Sequence, residues 1–237
     1  MAFLDSLLDA VVPDDCVGCG VPGAALCDAC VAALHAVTPR RRDPTPRPSG
    51  LPPVFAAGAY AGVLRSALLA YKERGRTRLS GPLARLLAAA VLGAVVARGD
   101  RVPEVVTLVA VPSSRAARNE RGHCHVDTLA VAAVAALRAG GVPARRLRAV
   151  RRRGRSHDSV GLSATDRAAN GGDYVVRRKA RRTLRGTSVI VVDDIVTTGS
   201  TALAVTRALE RAGASVIGVA TVAATTRRLL VKGTDEG

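Results

Sequence analysis

The run Val189-Ile190-Val191-Val192-Asp193-Asp194-Ile195-Val196-Thr197-Thr198-Gly199-Ser200-Thr201 decides the fold. Its first four residues are apolar and β-branched, which suits a central parallel strand and predicts one over Ser188–Val192. Two adjacent carboxylates follow at the carboxyl end of that strand, where open α/β sheets place their ligands. Next come five residues that are either hydroxylic or glycine, and then a helical pattern over Ser200–Ala212 that stops at Gly213. Small residues let successive backbone N–H groups converge, the helix start adds its dipole, and the hydroxyls donate further hydrogen bonds. Such a cradle suits a phosphate. Asp193 and Asp194 beside it suit the vicinal hydroxyls of a ribose. A plain strand–turn–helix with Asp as a cap would need neither the second carboxylate nor the five-residue loop.

Outward from this run, strand-like and helical patterns alternate. Strands are expected at Val54–Ala59, Val105–Pro112, Tyr174–Arg177 and Ser215–Ala223, and helices at Gly62–Tyr71, Leu79–Arg98 and Val126–Gly140. Alternation of this kind predicts an α/β fold with a parallel, Rossmann-like sheet flanked by crossover helices. With 237 residues, 48% of them hydrophobic, the chain has material for one medium domain and a small appendage. Aromatic residues are 2%, so Ala, Val and Leu must build the core. Residues 38–53 hold six prolines and no periodicity, which reads as a stiff linker. The expected division is therefore 1–37, a linker at 38–53, a main domain over 54–230 and a tail at 231–237.

Four cysteines stand before the linker as Cys16-x2-Cys19-x7-Cys27-x2-Cys30. Two paired thiolate hooks at this spacing suit a tetrahedral Zn²⁺. With four protein ligands such a zinc has no open position and is structural. An iron–sulfur cluster or free thiols are the alternatives. Cys124 lies far along the chain and reads as a plain side chain.

The N-terminus lacks a basic start followed by an apolar core, so it does not read as a signal peptide. The longest apolar run, Leu86–Ala97, falls short of the ~20 residues that cross a bilayer. These features predict a cytoplasmic protein with reduced thiols and no membrane insertion.

The Asp193–Thr201 run resembles the signature of type I phosphoribosyltransferases. The whole chain resembles the ComF family (competence protein ComF, GntX-like) in an ordered set of short pieces. These are the four-cysteine knuckle, Tyr71-Lys72, Val111-Pro112-Ser113-Ser114, Arg121-Gly122, Gly161-Leu162-Ser163, Arg167, Asn170 and the Asp-Asp loop. The resemblance implies a phosphoribosyltransferase that binds phosphoribosyl pyrophosphate with Mg²⁺ and transfers the phosphoribosyl group to an acceptor. Asp193 and Asp194 would hold ribose hydroxyls, and Thr197, Thr198, Gly199, Ser200 and Thr201 the 5′-phosphate. Ser113, Ser114 and Arg115 would hold pyrophosphate. It further implies a role in DNA uptake, with single-stranded DNA and uptake-machinery proteins as partners. A module that senses phosphoribosyl pyrophosphate, or binds single-stranded nucleic acid, without catalysis is the alternative.

Residues 145–185 carry 13 Arg and one Lys against three Asp, a local balance of 14 − 3 = +11 within a chain of net charge +16. The resemblance places a loop here that closes over bound ligand. A nucleic-acid patch and a solvated loop enriched in Arg by coding bias are the other readings. The chain departs from the family in having Arg121-Gly122-His123-Cys124-His125 where Arg-Gly-Phe-Asn-Gln is usual, and Ser159 where Gln is common. His123 and His125 read as surface residues at a helix start, with catalysis or metal binding as the alternative.

Overall fold

The computed structural model describes residues 15–99, 103–112, 124–153 and 174–225. The elements in chain order are α1 (Asp28–His35), β1 (Arg40–Arg41), β2 (Val54–Ala59), α2 (Gly62–Glu73), α3 (Ser80–Val96), β3 (Val106–Ala110), α4 (His125–Ala139), β4 (Ala144–Arg146), β5 (Val150–Arg152), β6 (Tyr174–Val176), α5 (Arg181–Leu184), β7 (Ser188–Val196), α6 (Ser200–Glu210) and β8 (Ser215–Ala224). Six strands form one sheet in the order β1-β2-β8-β7-β3-β4. All neighbours are parallel except β1, which pairs antiparallel with β2 at one edge. β5 and β6 form a separate antiparallel pair.

The sheet is covered on both faces, which is why its strands are continuously apolar rather than alternating with polar residues. Successive residues still point to opposite sides. Phe55, Ala57, Val106, Leu108, Ile190 and Val192 join a core shared with α2, α3 and α4. Their neighbours Val54, Ala56, Val109, Val189 and Val191 join a second core beneath α6. The expected α/β class with a parallel sheet flanked by helices is therefore what the chain forms.

Thr77–Val96, a short 3-10 turn continued by α3, is long and apolar enough to cross a membrane, and it is more than half buried in this fold. Leu83, Leu87 and Val91 are fully enclosed in the core. It is apolar nearly all round because it is a central packing helix.

Two expectations need correction. The strand predicted over Ser188–Val192 runs on to Val196, so the two aspartates lie inside the strand rather than beyond it. Residues 38–53, read as a stiff linker, are docked onto the domain. Arg40 and Arg41 pair with Ala56 and Phe55, the Val54 amide donates to Asp43 Oδ1 at 2.9 Å, and Leu51 is buried in the second core. Proline content signals an extended backbone correctly, but prolines and aliphatic side chains also supply apolar surface for packing. Five short elements escaped the sequence reading: α1, which starts directly after Cys27, β1, β4, β5 and α5; β4 and β5 hide in Arg-rich sequence whose apolar members are only Ala144 and Val150.

Candidate functional site

Strand alternation gives Asp193 and Asp194 different surroundings. Asp194 shares the face of Ile190 and Val192, where α2 and α4 lie; Asp193 shares the face of Val189 and Val191. Asp194 is 6% exposed. Its Oδ2 accepts from His125 Nε2 at 3.0 Å and lies 3.5 Å from Lys72 Nζ. Its Oδ1 accepts from the Ile195 amide at 2.8 Å. His125 opens α4, and its carbonyl accepts from the Tyr71 hydroxyl at 3.1 Å. Tyr71 and Lys72 are consecutive near the end of α2. Residues more than fifty positions apart in the chain thus meet at one carboxylate.

Asp193 is half-buried, and its Oδ1 accepts the Asp194 amide at 2.9 Å. Its carboxyl also lies within hydrogen-bonding reach of the Asp194 carboxyl, and no third side chain among the described residues binds it. The two carboxyls titrate in opposite directions. Burial opposes ionisation of Asp194, yet the His125 hydrogen bond and the Lys72 charge outweigh it and hold this carboxyl down at about 2. Burial, and then the negative charge of Asp194, push Asp193 well above the ordinary carboxylate range. Burial likewise raises the Tyr71 hydroxyl to about 12, so it stays a neutral donor.

His125 therefore corrects the reading of a surface position: it is 6% exposed and bound to Asp194. Helical periodicity alone could have found it, because position 125 is on the same face as the buried Leu129 and Ala133. His123 lies outside the described residues. So do Ser113, Ser114 and Arg115, along with Arg121-Gly122, Gly161-Leu162-Ser163, Arg167 and Asn170.

Beyond β7, Thr197, Thr198, Ser200 and Thr201 are exposed while Gly199 is buried. Gly199 precedes α6 with φ +76, the left-handed conformation that favours glycine. Thr198 Oγ1 is 2.9 Å from Ser200 Oγ and 3.4 Å from the Ser200 amide. The loop thus presents hydroxyls at the amino end of an eleven-residue helix. Behind it lies the Pro-rich segment: a Cβ added at Gly199 would sit 2.7 Å from Leu51 Cδ2 and 3.1 Å from Pro44 Cγ. Gly199→Ala should cost about 2 kcal/mol through backbone strain and overpacking. Urea unfolding measures this, and unchanged stability would show that the loop is not braced by residues 44–51.

The second cluster is at the N-terminal end of the described chain. Cys16, Cys19, Cys27 and Cys30 bring their Sγ atoms within 4.8 Å of one another, and they are the only such donor group among the described residues. The set fits a zinc, for which tetrahedral Zn–S bonds of ~2.3 Å require sulfur pairs separated by about 3.8 Å. The Cys27 amide donates to Cys16 Sγ at 3.3 Å. Burial disfavours the Cys16 thiolate, but amide donors from Cys27, Cys19 and Gly18 bring it down to about 6. Burial and the neighbouring sulfurs push Cys30 up to about 12. A cation is what would let four such sulfurs share one space as thiolates.

A phosphoribosyl transferase domain model matches residues 128–235, the span that holds β7, both aspartates and the loop before α6. No curated protein matches the chain. Among solved structures, it is similar to an allosteric regulatory enzyme of purine biosynthesis, with 17% identity and TM-score 0.38 over 65% of this chain. It spans 30% of that protein's length. It is also similar to adenine phosphoribosyltransferase from Leishmania tarentolae, with 15% identity and TM-score 0.33 over 80% of this chain and 71% of that one. Both similarities are remote. The domain match together with the helix-flanked, mostly parallel sheet identifies a phosphoribosyltransferase-type fold.

Proposed function

We propose that the chain binds phosphoribosyl pyrophosphate and transfers its phosphoribosyl group to an acceptor, releasing pyrophosphate. One observation carries this reading: a carboxylate pair at the end of a central strand leads directly into an exposed hydroxyl loop at the start of α6. A ribose 5-phosphate needs this order of groups, with acceptors for its diol and donors for its phosphate. Thr197 to Thr201 take the 5′-phosphate, and the Asp193–Asp194 pair is assigned to the ribose hydroxyls. Ser113, Ser114 and Arg115 are assigned to pyrophosphate from the resemblance in sequence. Mg²⁺, a hard cation, would be carried largely by the ligand's oxygens, with the Asp193 carboxylate as the available protein oxygen. Bound there, it would neutralise the departing pyrophosphate. The sugar carbon becomes positive as pyrophosphate leaves, by analogy with glycoside cleavage, and the nearby carboxylates favour that charge.

The finer assignment is a cytoplasmic ComF-like protein with a structural zinc knuckle, working in DNA uptake. It rests on the ordered sequence pieces and on the cysteine quartet. A second reading is a sensing or nucleic-acid-binding module. It is favoured by a cleft of about 740 Å³ lined by Arg153, Arg181, Arg185 and Arg211 with Tyr174.

Calorimetry of full-length protein with Mg²⁺ and phosphoribosyl pyrophosphate, followed by pyrophosphate release with a panel of bases, separates these readings. Binding with release establishes the transferase. Binding without release establishes the sensor. Absence of binding, with single-strand affinity that falls steeply with salt, establishes the nucleic-acid module.

A further inference from the structure

Asp193 and Asp194 are neighbours in sequence but differ in what holds them. Asp194 has three donors from the protein: His125 and Lys72 on Oδ2, and the Ile195 amide on Oδ1. Asp193 accepts one backbone amide, and besides the Asp194 carboxyl beside it no other side chain among the described residues hydrogen-bonds to it. A buried carboxylate so fully engaged is poorly placed to accept two more hydrogen bonds from a sugar.

The donors to Asp194 are not equivalent. Lys72 is a flexible point charge at 3.5 Å whose side chain is about one-third exposed (34%). His125 is rigid, enclosed and at 3.0 Å, and Tyr71 holds its backbone. A donor facing the carboxylate places a hydrogen on Nε2, and in the neutral ring Nδ1 is then a bare acceptor. Nδ1 is buried and has no hydrogen-bond partner among the described residues. An orphaned buried acceptor destabilises a fold, and an apolar side chain would fill the same space without one. The imidazole is explained by what its other nitrogen does.

We propose that His125 is a positioning residue: its Nε2–H fixes Asp194 as an oriented anion, leaving Asp193 as the carboxylate that meets the ligand. The proposal deepens the ribose-phosphate reading and rests on it for its affinity readout. The hydrogen bond itself can be tested without any ligand.

Glutamine places an N–H about where Nε2 lies, whereas asparagine reaches only as far as Nδ1. Full-length H125Q should bind Mg²⁺–phosphoribosyl pyrophosphate within about threefold of wild type, and H125N and H125L should weaken it about tenfold, the loss of one charge-assisted hydrogen bond. Thermal melts confirm that each variant folds. In ¹⁵N spectra of the imidazoles, His125 should be the Nε2–H tautomer in wild type and lose that preference in D194N. H125L that binds like wild type, H125Q as weak as H125L, or an Nδ1–H tautomer would each overturn the proposal. Should wild type fail to bind this ligand, the ribose-phosphate reading falls, and the tautomer still decides whether His125 positions Asp194.

Discussion

Asp193→Asn will weaken binding of Mg²⁺–phosphoribosyl pyrophosphate by about a hundredfold or more, the worth of two charge-assisted hydrogen bonds, while leaving the protein at least as heat-stable as wild type. The two halves of this outcome have one cause. Burial and the adjacent Asp194 raise the Asp193 carboxyl well above the ordinary carboxylate range. The folded state then holds a proton that the unfolded chain has already released. Stability falls as pH rises from the ordinary range through the raised value, because the unfolded state binds fewer protons across that window. Above it, the ionised Asp193 is a burden on the fold that asparagine removes. Asn keeps the oxygen that accepts the Asp194 amide, so local geometry survives.

Binding a cation or a diol favours the carboxylate and expels the proton. Wild-type affinity should therefore rise with pH across this window, and the Asn variant should show no such rise. Titrations in two buffers of different ionisation enthalpy measure the proton released. Unchanged affinity in D193N would remove Asp193 from the site. A large fall in melting temperature would show the residue to be structural instead.

The second large effect is expected from stripping a metal from the cysteine quartet, which could hold a zinc. Full-length protein should contain about one zinc per chain, and a strong chelator or Cys30→Ser should lower the melting temperature by more than about 10 °C. α1 has eight residues, too few to be stable as an isolated helix. The knuckle's anchors to the domain include Ala25 and Leu34, both in the core beneath α2 and α3, Val17 and Leu26 packed against that core, the Arg76 guanidinium donating to the Asp15 carbonyl at 2.8 Å, and the Gly18 backbone, where a Cβ would lie 2.7 Å from Cys30 Sγ and 2.9 Å from Val63. Val63 lies in the first turn of α2, and Tyr71 and Lys72 stand near its other end beside His125 and Asp194. Loss of the metal should accordingly weaken ligand binding as well as stability. Elemental analysis and thermal melts with and without chelator measure this. A zinc-free protein with an unchanged melting temperature would refute a structural metal.

Much of the architecture was legible because its signals are local. The Val54–Ala59 strand, the helix over Gly62–Glu73 and the helix starting at Ser200 follow from apolar periodicity and from breaks at glycine. The misreadings came where composition and packing point in different directions. Six prolines mark residues 38–53 as extended, but composition says nothing about what they lean on; they form β1 and the wall behind Gly199. The arginines of β4 and β5 mask strands because pairing depends on backbone hydrogen bonds that side-chain charge does not report. His125 reads as a surface residue in sequence because a lone histidine at a helix start has no partner visible there.

The sequence by itself determined the ingredients and their order: an apolar strand, two carboxylates, a hydroxyl and glycine loop, a helix, and four cysteines at metal-binding spacing. These are local properties, set by residue type, period and spacing. Only the tertiary structure decided that the two aspartates differ. Alternation along β7 turns Asp194 toward α2 and α4, where Lys72 and His125, from segments 122 and 69 residues away in the chain, converge on it. Asp193, next along the strand, meets only the Asp194 amide and carboxyl among the described residues. Long-range packing created that asymmetry by burying one carboxylate among donors, and no local pattern in the chain encodes it.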